Sequence, residues 1–281
     1  MLAIVTLVGS SYVAAAEISL PRDLNAQAFV VKAEKDGLWE KTLFVQFPQK
    51  RHVLSTNDGL VDVVAVVNHA AHSDLWNCGG DTKGKGHGCG AFLYLQKSRE
   101  QNAQRLGVKD AEMAMLGTAA DMDNLAVVTK TFTPFVVTAL VTAGAKGNAI
   151  RTGVDEGKYI EPDPAFEKSP QQKAPKPGTV NILVLTNAKL TDGGLARAVI
   201  TATEAKTAAF EDLKVPSSYT KMAQATGTGT DGMIVVSGVS GPLVTYPGGH
   251  SRIGELIGKA VREAVIEALE KQNGFKRPDH Q

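Results

Sequence analysis

The 281-residue chain has two cysteines, few aromatics and almost no excess charge of either sign. Each scarcity excludes something. Two cysteines cannot build the dense disulfide framework of a small secreted domain, and a chain of this length buries enough surface to need none. A bilayer-spanning helix requires about 20 consecutive apolar residues, and no stretch supplies them. Thirty basic against twenty-nine acidic residues leave a formal charge of +1, so composition draws the chain neither to nucleic acid nor to an anionic membrane. Internal repeats and a coiled-coil seam are missing. So is a serine or cysteine in a nucleophile elbow, which argues against a triad of that kind. What remains, 43% hydrophobic and 21% charged residues, is the composition of an ordinary globular enzyme.

The N-terminus stands apart. Leu2 to Val8 is apolar and Ala14–Ala16 supplies small residues before Glu17, a short h-region and an A-x-A-like cleavage site without the usual basic n-region. Residues 1–16 are therefore expected to be a signal peptide and the protein exported or periplasmic. Leu2 to Val8 is also good strand sequence, and without a leader the protein is cytoplasmic. Cys78 and Cys89 lie in the glycine-rich run 77–90. In an oxidising compartment they can close that loop as a disulfide worth about 2–3 kcal/mol. Alternatively Cys78, His87 and Cys89 ligate a metal, with Asp81 or His72 as fourth group, although the spacing fits no standard zinc pattern.

Hydrophobic periodicity predicts strands at 26–32 and 41–47 joined by a turn at Asp36-Gly37, and a doubly buried strand at 61–67 ending in Asn68-His69. A helix follows at 98–106, then strands at 113–118, 125–132 and 135–142, the last two parted by Pro134. Residues 144–153 are too glycine-rich for a helix and carry Asn148 and Arg151, the latter able to offer a planar fork to a carboxylate or amide oxygen. Residues 154–177 hold five of the twelve prolines and read as an exposed loop without regular structure. A buried strand at 179–186 and an amphipathic helix at 252–271, capped by Ser251 and preceded by His250, complete the set. The pattern predicts one α/β domain over 17–272, a mixed β-sheet with helices packed on its faces, and a flexible tail at 273–281.

The chemistry concentrates between Thr201 and Asp231. A helix capped by Thr191 or Asp192 places Leu195, Val199, Ala202, Ala209 and Leu213 on one face, and Lys206 falls in the middle of that apolar stripe. A lysine there must snorkel or find a partner. Glu204 points to nearly the opposite side of a regular helix. Gly227-x-Gly229-x-x-Gly232 has the dinucleotide-binding spacing, but it precedes a strand where that motif must open a helix. A nicotinamide-dependent oxidoreductase would rest on that triplet alone. Alternating Gly and Thr can still point N–H groups and hydroxyls at one place, as an oxyanion nest does.

Thr203–Ala209 (Thr-Glu-Ala-Lys-Thr-Ala-Ala) and Ala225–Asp231 (Ala-Thr-Gly-Thr-Gly-Thr-Asp) resemble the two hallmark segments of the CbiZ family, the adenosylcobinamide amidohydrolases. Thr118–Ala120, Asn148–Gly153, Gly178–Leu183, Gly248–His250 and Gly254–Gly258 agree in order, and the likeness runs from about Leu60 to Leu269. The resemblance implies hydrolysis of the amide joining aminopropanol to the corrin ring of adenosylcobinamide. Adenosylcobyric acid would result, feeding corrinoid salvage and cobalamin synthesis. Amide hydrolysis needs a base, donors for the oxyanion and an acid for the leaving amine. Glu204 or Asp231 can be the base, Lys206 or the N–H groups around Thr228–Thr230 can hold the oxyanion, and His250 can give the proton. Asn68 or Asn148 can orient the amide, with Arg151, Asn181, Thr203, Thr226, Thr228 and Thr230 as further substrate contacts. A covalent route through Thr228 or Thr230 is open. The corrinoid enters as substrate, no cofactor is assigned, and a homo-oligomer is compatible. The competing class is a non-catalytic exported corrinoid- or tetrapyrrole-binding protein.

Overall fold

One long strand organises the molecule. The structure, a computed structural model, describes residues 12–35, 37–76, 90–157, 159–160, 167–168 and 178–278. In chain order the strands are β1 (Tyr12–Ile18), β2 (Gln27–Lys35), β3 (Leu38–Ser55), β4 (Gly59–Ala71), β5 (Met113–Thr118), β6 (Ala126–Phe132), β7 (Phe135–Ala143) and β8 (Ala149–Ile150). They continue with β9 (Tyr159–Ile160), β10 (Glu167–Lys168), β11 (Val180–Thr186), β12 (Lys189–Leu190), β13 (Gly227–Thr228), β14 (Gly232–Val236) and β15 (Leu243–Val244). The helices are α1 (Gly90–Leu106), α2 (Asp192–Asp212) and α3 (Arg252–Asn273).

The main sheet runs β1-β2-β3-β14-β11-β7-β6, with β4 on the other edge of β3 and β5 beyond β4. Two of its pairings, β11 with β14 and β4 with β5, are parallel. The register of β3 against β4 shifts between Gln46 and Arg51, around Pro48, which cannot donate to a ladder. Before the shift β3 pairs with β2; after it, Val53–Ser55 pair with β14. The sheet curls at this joint and encloses a core that includes Leu43, Val66, Leu116, Leu140, Leu183 and Ile234. Outside the curl, α2 and α3 cover β7, β11 and β14, while a smaller cluster of Phe44, Val67, Ala103 and Met113 lies between α1 and β3–β5. All seven residues of β11 are buried, as expected of a strand covered on both sides. The expected α/β architecture, a mixed sheet faced by helices, is the one found.

Several details differ from expectation. Ala14–Ala16 of the supposed cleavage site belong to edge strand β1, with Ala16 opposite Val30; residues 1–11 lie outside the described set, as do Asp36 and all of 77–89. β4 runs to Ala71, so Asn68 and His69 sit inside the strand, pointing to opposite faces of the sheet. Residues 154–177 are not wholly irregular, because β9 and β10 pair antiparallel there. Helix α1 begins eight residues before the predicted start: its described buried residues are Tyr94, Ser98, Asn102 and Ala103, the first three of which carry polar groups, so an apolar-stripe criterion misses them. Asn273, placed in the flexible tail by the sequence, closes α3 and accepts the N–H of Ala145 at 2.8 Å.

Candidate active site

Strand β13 pairs antiparallel with β8, Gly227 opposite Ile150 and Thr228 opposite Ala149. The glycine/threonine turn is thereby fastened to the loop that carries Asn148 and Arg151, a link no local pattern announces. Helix α2 lies alongside. Thr191 is its N-cap, the hydroxyl accepting from Gly194 N at 3.1 Å. Its inward face buries Leu195, Ala202 and Ala209, and Lys206, 9% exposed, lies on that face. The lysine does not snorkel: its Nζ donates to Asp231 Oδ2.

Asp231 is the hub. Besides Lys206 it accepts the Thr228 hydroxyl, the Thr228 N–H (3.1 Å to Oδ1, 3.2 Å to Oδ2) and the Val180 N–H (3.2 Å). Side-chain exposures of 11% for Lys206 and 19% for Asp231 place the pair where neither charge is well hydrated alone. Removing one partner therefore strands the other. Gly227 lies against the pair: a Cβ at that position would press on both Asp231 Oδ2 and Lys206 Nζ, so that the two charged ends would have to shift.

Hydrogen bonds tie the turn to its surroundings. Thr230 Oγ1 donates to Gly178 O at 3.1 Å, Thr179 Oγ1 to Thr230 O at 2.5 Å, and Asn148 Nδ2 to Gly178 O. Thr226 accepts the Thr152 N–H at 3.0 Å, and Arg151 donates to Gln224 O at 3.3 Å. On the inner face of the curl, Asn181 Nδ2 donates to Asn68 Oδ1 (2.8 Å) and Gly117 O (3.0 Å), and Asn68 Nδ2 to Thr142 Oγ1 (2.9 Å). Asn181 is the residue after Val180 and stands opposite Gly232. The structure thus brings Asn68, Asn148, Arg151, Asn181, Lys206, Thr226, Thr228, Thr230 and Asp231 to one end of the sheet.

Three of the predicted residues stand apart. Thr203 and Glu204 are exposed on α2, and Glu204 is turned about 200° around the helix from Lys206. His250 is exposed two residues before Arg252, whose guanidinium lies 4.2 Å from the ring of Phe132. Phe132 closes the β6–β7 hairpin, whereas Asp231 adjoins the Thr142 end of β7. Strand β7 separates the two by roughly 20 Å at its rise of about 3.3 Å per residue. Of the supposed metal ligands, Cys78, Asp81, His87 and Cys89 fall outside the described residues, and His72 Nδ1 accepts Asp74 N–H at 3.3 Å.

A second polar cluster, missed in the sequence apart from His69, lies beneath α1. His69 bridges Thr42 Oγ1 (2.8 Å, at Nδ1) and the Tyr94 hydroxyl (2.9 Å, at Nε2), and Tyr94 donates to Glu40 Oε1 at 2.7 Å. Since the phenol proton goes to Glu40, Nε2 must carry the imidazole proton and Nδ1 accept from Thr42. Burial lowers the His69 pKa to about 4, and it raises that of Tyr94, helped by the bond to Glu40. Thr42, His69, Glu40 and Tyr94 are all buried. A threonine, a tyrosine and a glutamate two strand positions from the threonine give no periodic signal by which to find them.

At the first cluster a hydroxyl touches a carboxylate that touches an ammonium, with Gly229 and Thr230 exposed beside them. That arrangement can withdraw a proton from an oxygen and return one to a leaving group. Residues 27–277 match the family described as adenosylcobinamide amidohydrolase. The chain is similar to an uncharacterized protein of Methanocaldococcus jannaschii, 46% identical over 260 residues that cover 90% of this chain and 96% of the relative. It also resembles two proteins named adenosylcobinamide amidohydrolase. The one from Halobacterium salinarum is 29% identical over 134 residues, 48% of this chain and 54% of the relative. The one from Methanosarcina mazei is 27% identical over 179 residues, 60% and 72% respectively.

Proposed function

The chain belongs to the adenosylcobinamide amidohydrolase family, and from that membership we propose that it hydrolyses the amide joining aminopropanol to the corrin ring of adenosylcobinamide. The products are adenosylcobyric acid and free aminopropanol, which places the reaction in corrinoid salvage toward cobalamin. The direct contact of Lys206, Asp231 and Thr228 at the hallmark segments carries this reading. Asp231 takes up the proton released as the carbonyl is attacked. Lys206, held against Asp231, gives a proton to the departing nitrogen. Developing negative charge on the carbonyl oxygen faces the exposed backbone of Gly229 and Thr230. Arg151, Asn148 and Thr226, fixed by β8 and β13, line the approach and orient the substrate amide.

The purified protein incubated with adenosylcobinamide should release aminopropanol, followed by mass spectrometry, and the release should require Lys206 and Asp231. An unaltered corrinoid that stays bound through chromatography would instead identify a binding protein. Export is part of the proposal too. Cleavage after Ala16 would remove Tyr12–Ala16 of β1, and N-terminal sequencing of the protein made in its own host would reveal it.

A further inference from the structure

We propose that Thr228 Oγ1 is the attacking atom, so that the reaction passes through an ester between Thr228 and the corrin acyl group and the protein also exchanges one primary amine for another at that group. This rests on the amide-hydrolysis reading above.

A count of lone pairs selects the attacker. A carboxylate offers about four acceptor sites, and Asp231 already receives the Lys206 ammonium, the Thr228 hydroxyl, the Val180 N–H and a Thr228 N–H shared between both oxygens. A water held for activation by Asp231 would have to displace one of these. The oxygen-bound proton already resting on the carboxylate is that of Thr228. Neighbouring threonines are disposed differently: Thr179, Thr207 and Thr230 give their hydroxyl protons to the carbonyls of Thr230, Thr226 and Gly178. A carbonyl cannot serve as their base. A nucleophile in contact with a base that a third group holds in place is the arrangement covalent catalysis requires. Thr228 itself is 5% exposed, so the substrate carbonyl has to approach its hydroxyl past Gly229, which is exposed and where an added Cβ would meet no atom within 4 Å.

The steps balance without a further reactant. Thr228 Oγ1 bonds to the carbonyl carbon as its proton passes to Asp231. The C–N bond then breaks, and the nitrogen leaves with a proton from Lys206. The proton on Asp231 crosses to Lys206 through their direct contact, restoring the ion pair. Water attacks the ester, loses a proton to Asp231, and the corrin acid departs as Thr228 recovers that proton. A small primary amine in place of water gives a new amide by the same route.

Hydroxylamine is the probe. With adenosylcobinamide and hydroxylamine the wild-type protein should form the corrin hydroxamate beside the acid, and acid-quenched protein should carry the corrin acyl mass on the peptide containing Thr228. Thr228→Val, similar in shape, should lower aminopropanol release by at least about 10³-fold and abolish both adduct and hydroxamate, with an unchanged circular dichroism spectrum. Thr228→Ser keeps the hydroxyl and should retain release within about tenfold, with the adduct on Ser, so that a fold defect in the valine variant is recognised. If Thr228→Val stays within about tenfold of wild type, or wild type releases aminopropanol with neither hydroxamate nor adduct, Thr228 is not the nucleophile. Failure of the wild type to release aminopropanol at all would instead overturn the amide-hydrolysis reading on which the step depends.

Discussion

Two buried polar clusters occupy the same end of the sheet, and they are built on opposite terms. The Lys206–Asp231–Thr228 cluster leaves Asp231 partly accessible, 19% of its side chain, and is bordered by the exposed Gly229 and Thr230. The Thr42–His69–Tyr94–Glu40 cluster is closed over by α1, with Leu95 and Trp76 packed so tightly on Gly117 that a Cβ there would lie 2.3 Å from Leu95. Each joins a hydroxyl, a carboxylate and a nitrogen-bearing side chain. Composition therefore does not distinguish the two; access and the disposition of their protons do. In the first, the carboxylate bridges a hydroxyl and an ammonium. In the second, burial holds the imidazole neutral and the phenol far from ionisation.

The contrast can be broken, most sharply at the ion pair. Asp231→Asn or Lys206→Met should each reduce aminopropanol release by about 10³-fold while the folded spectrum is retained; equal activity would erase the distinction between the clusters. Gly227→Ala forces a methyl between the two charged groups, and a loss of about 10–100-fold is expected from their displacement, measured in the same assay.

The sealed cluster should answer in stability rather than rate. His69 has a folded pKa of about 4 against 6.5 for the free side chain, so as pH falls the unfolded chain takes up its proton first. Its contribution is complete near neutral pH, declines below about 6.5, and is exhausted near pH 4, a change of about 3 kcal/mol. Urea unfolding at pH 7 and pH 5 should show this slope in wild type and a shallower one in His69→Gln. Tyr94→Phe removes a single hydroxyl from between His69 and Glu40 and should cost about 1–3 kcal/mol in the same titration, with release of aminopropanol within about twofold of wild type. His250→Ala, at the far end of β7, should change neither quantity beyond about twofold; a large loss of rate would place that imidazole in the chemistry after all.

The sequence discloses one cluster and hides the other for a physical reason. Lys206 stands out because a charge interrupts an apolar helical stripe, and Gly227–Asp231 because alternating glycine and threonine is foreign to a core strand. Both signals are local. Its mate in the ion pair could not be read locally, since Asp231 reaches Lys206 only after β13 is fastened to β8. Nor could the meaning of Gly227, which reads in the sequence as part of a nest of N–H groups and hydroxyls and in the fold lies against Asp231 and Lys206. Thr42, Tyr94 and Glu40 are ordinary in their own segments and acquire a role only when α1 settles on β3 and β4. His250 stands out for the converse reason: a titratable residue before a helix looks functional anywhere, whereas in the fold it is exposed near the Phe132 end of β7. The longer strands of the main sheet other than β1, though only part of β3, and two of the helices are legible because their apolar spacing is regular; β1 and the two-residue strands are not, and α1 is predicted short because most of its described buried residues carry polar groups.

The bent strand β3 also sets the order in which the chain can be completed. Its Val53–Ser55 segment waits for Ile234–Val236, which leave the ribosome long after β2, β3 and β4 have been made. Until then an open backbone edge is exposed, the kind of surface that recruits other nascent chains. Sequence-distant closure of this sort also slows folding. Truncations ending before β14 should therefore aggregate rather than yield a soluble N-terminal half, and a helper that shields strand edges should raise the yield of the full-length protein.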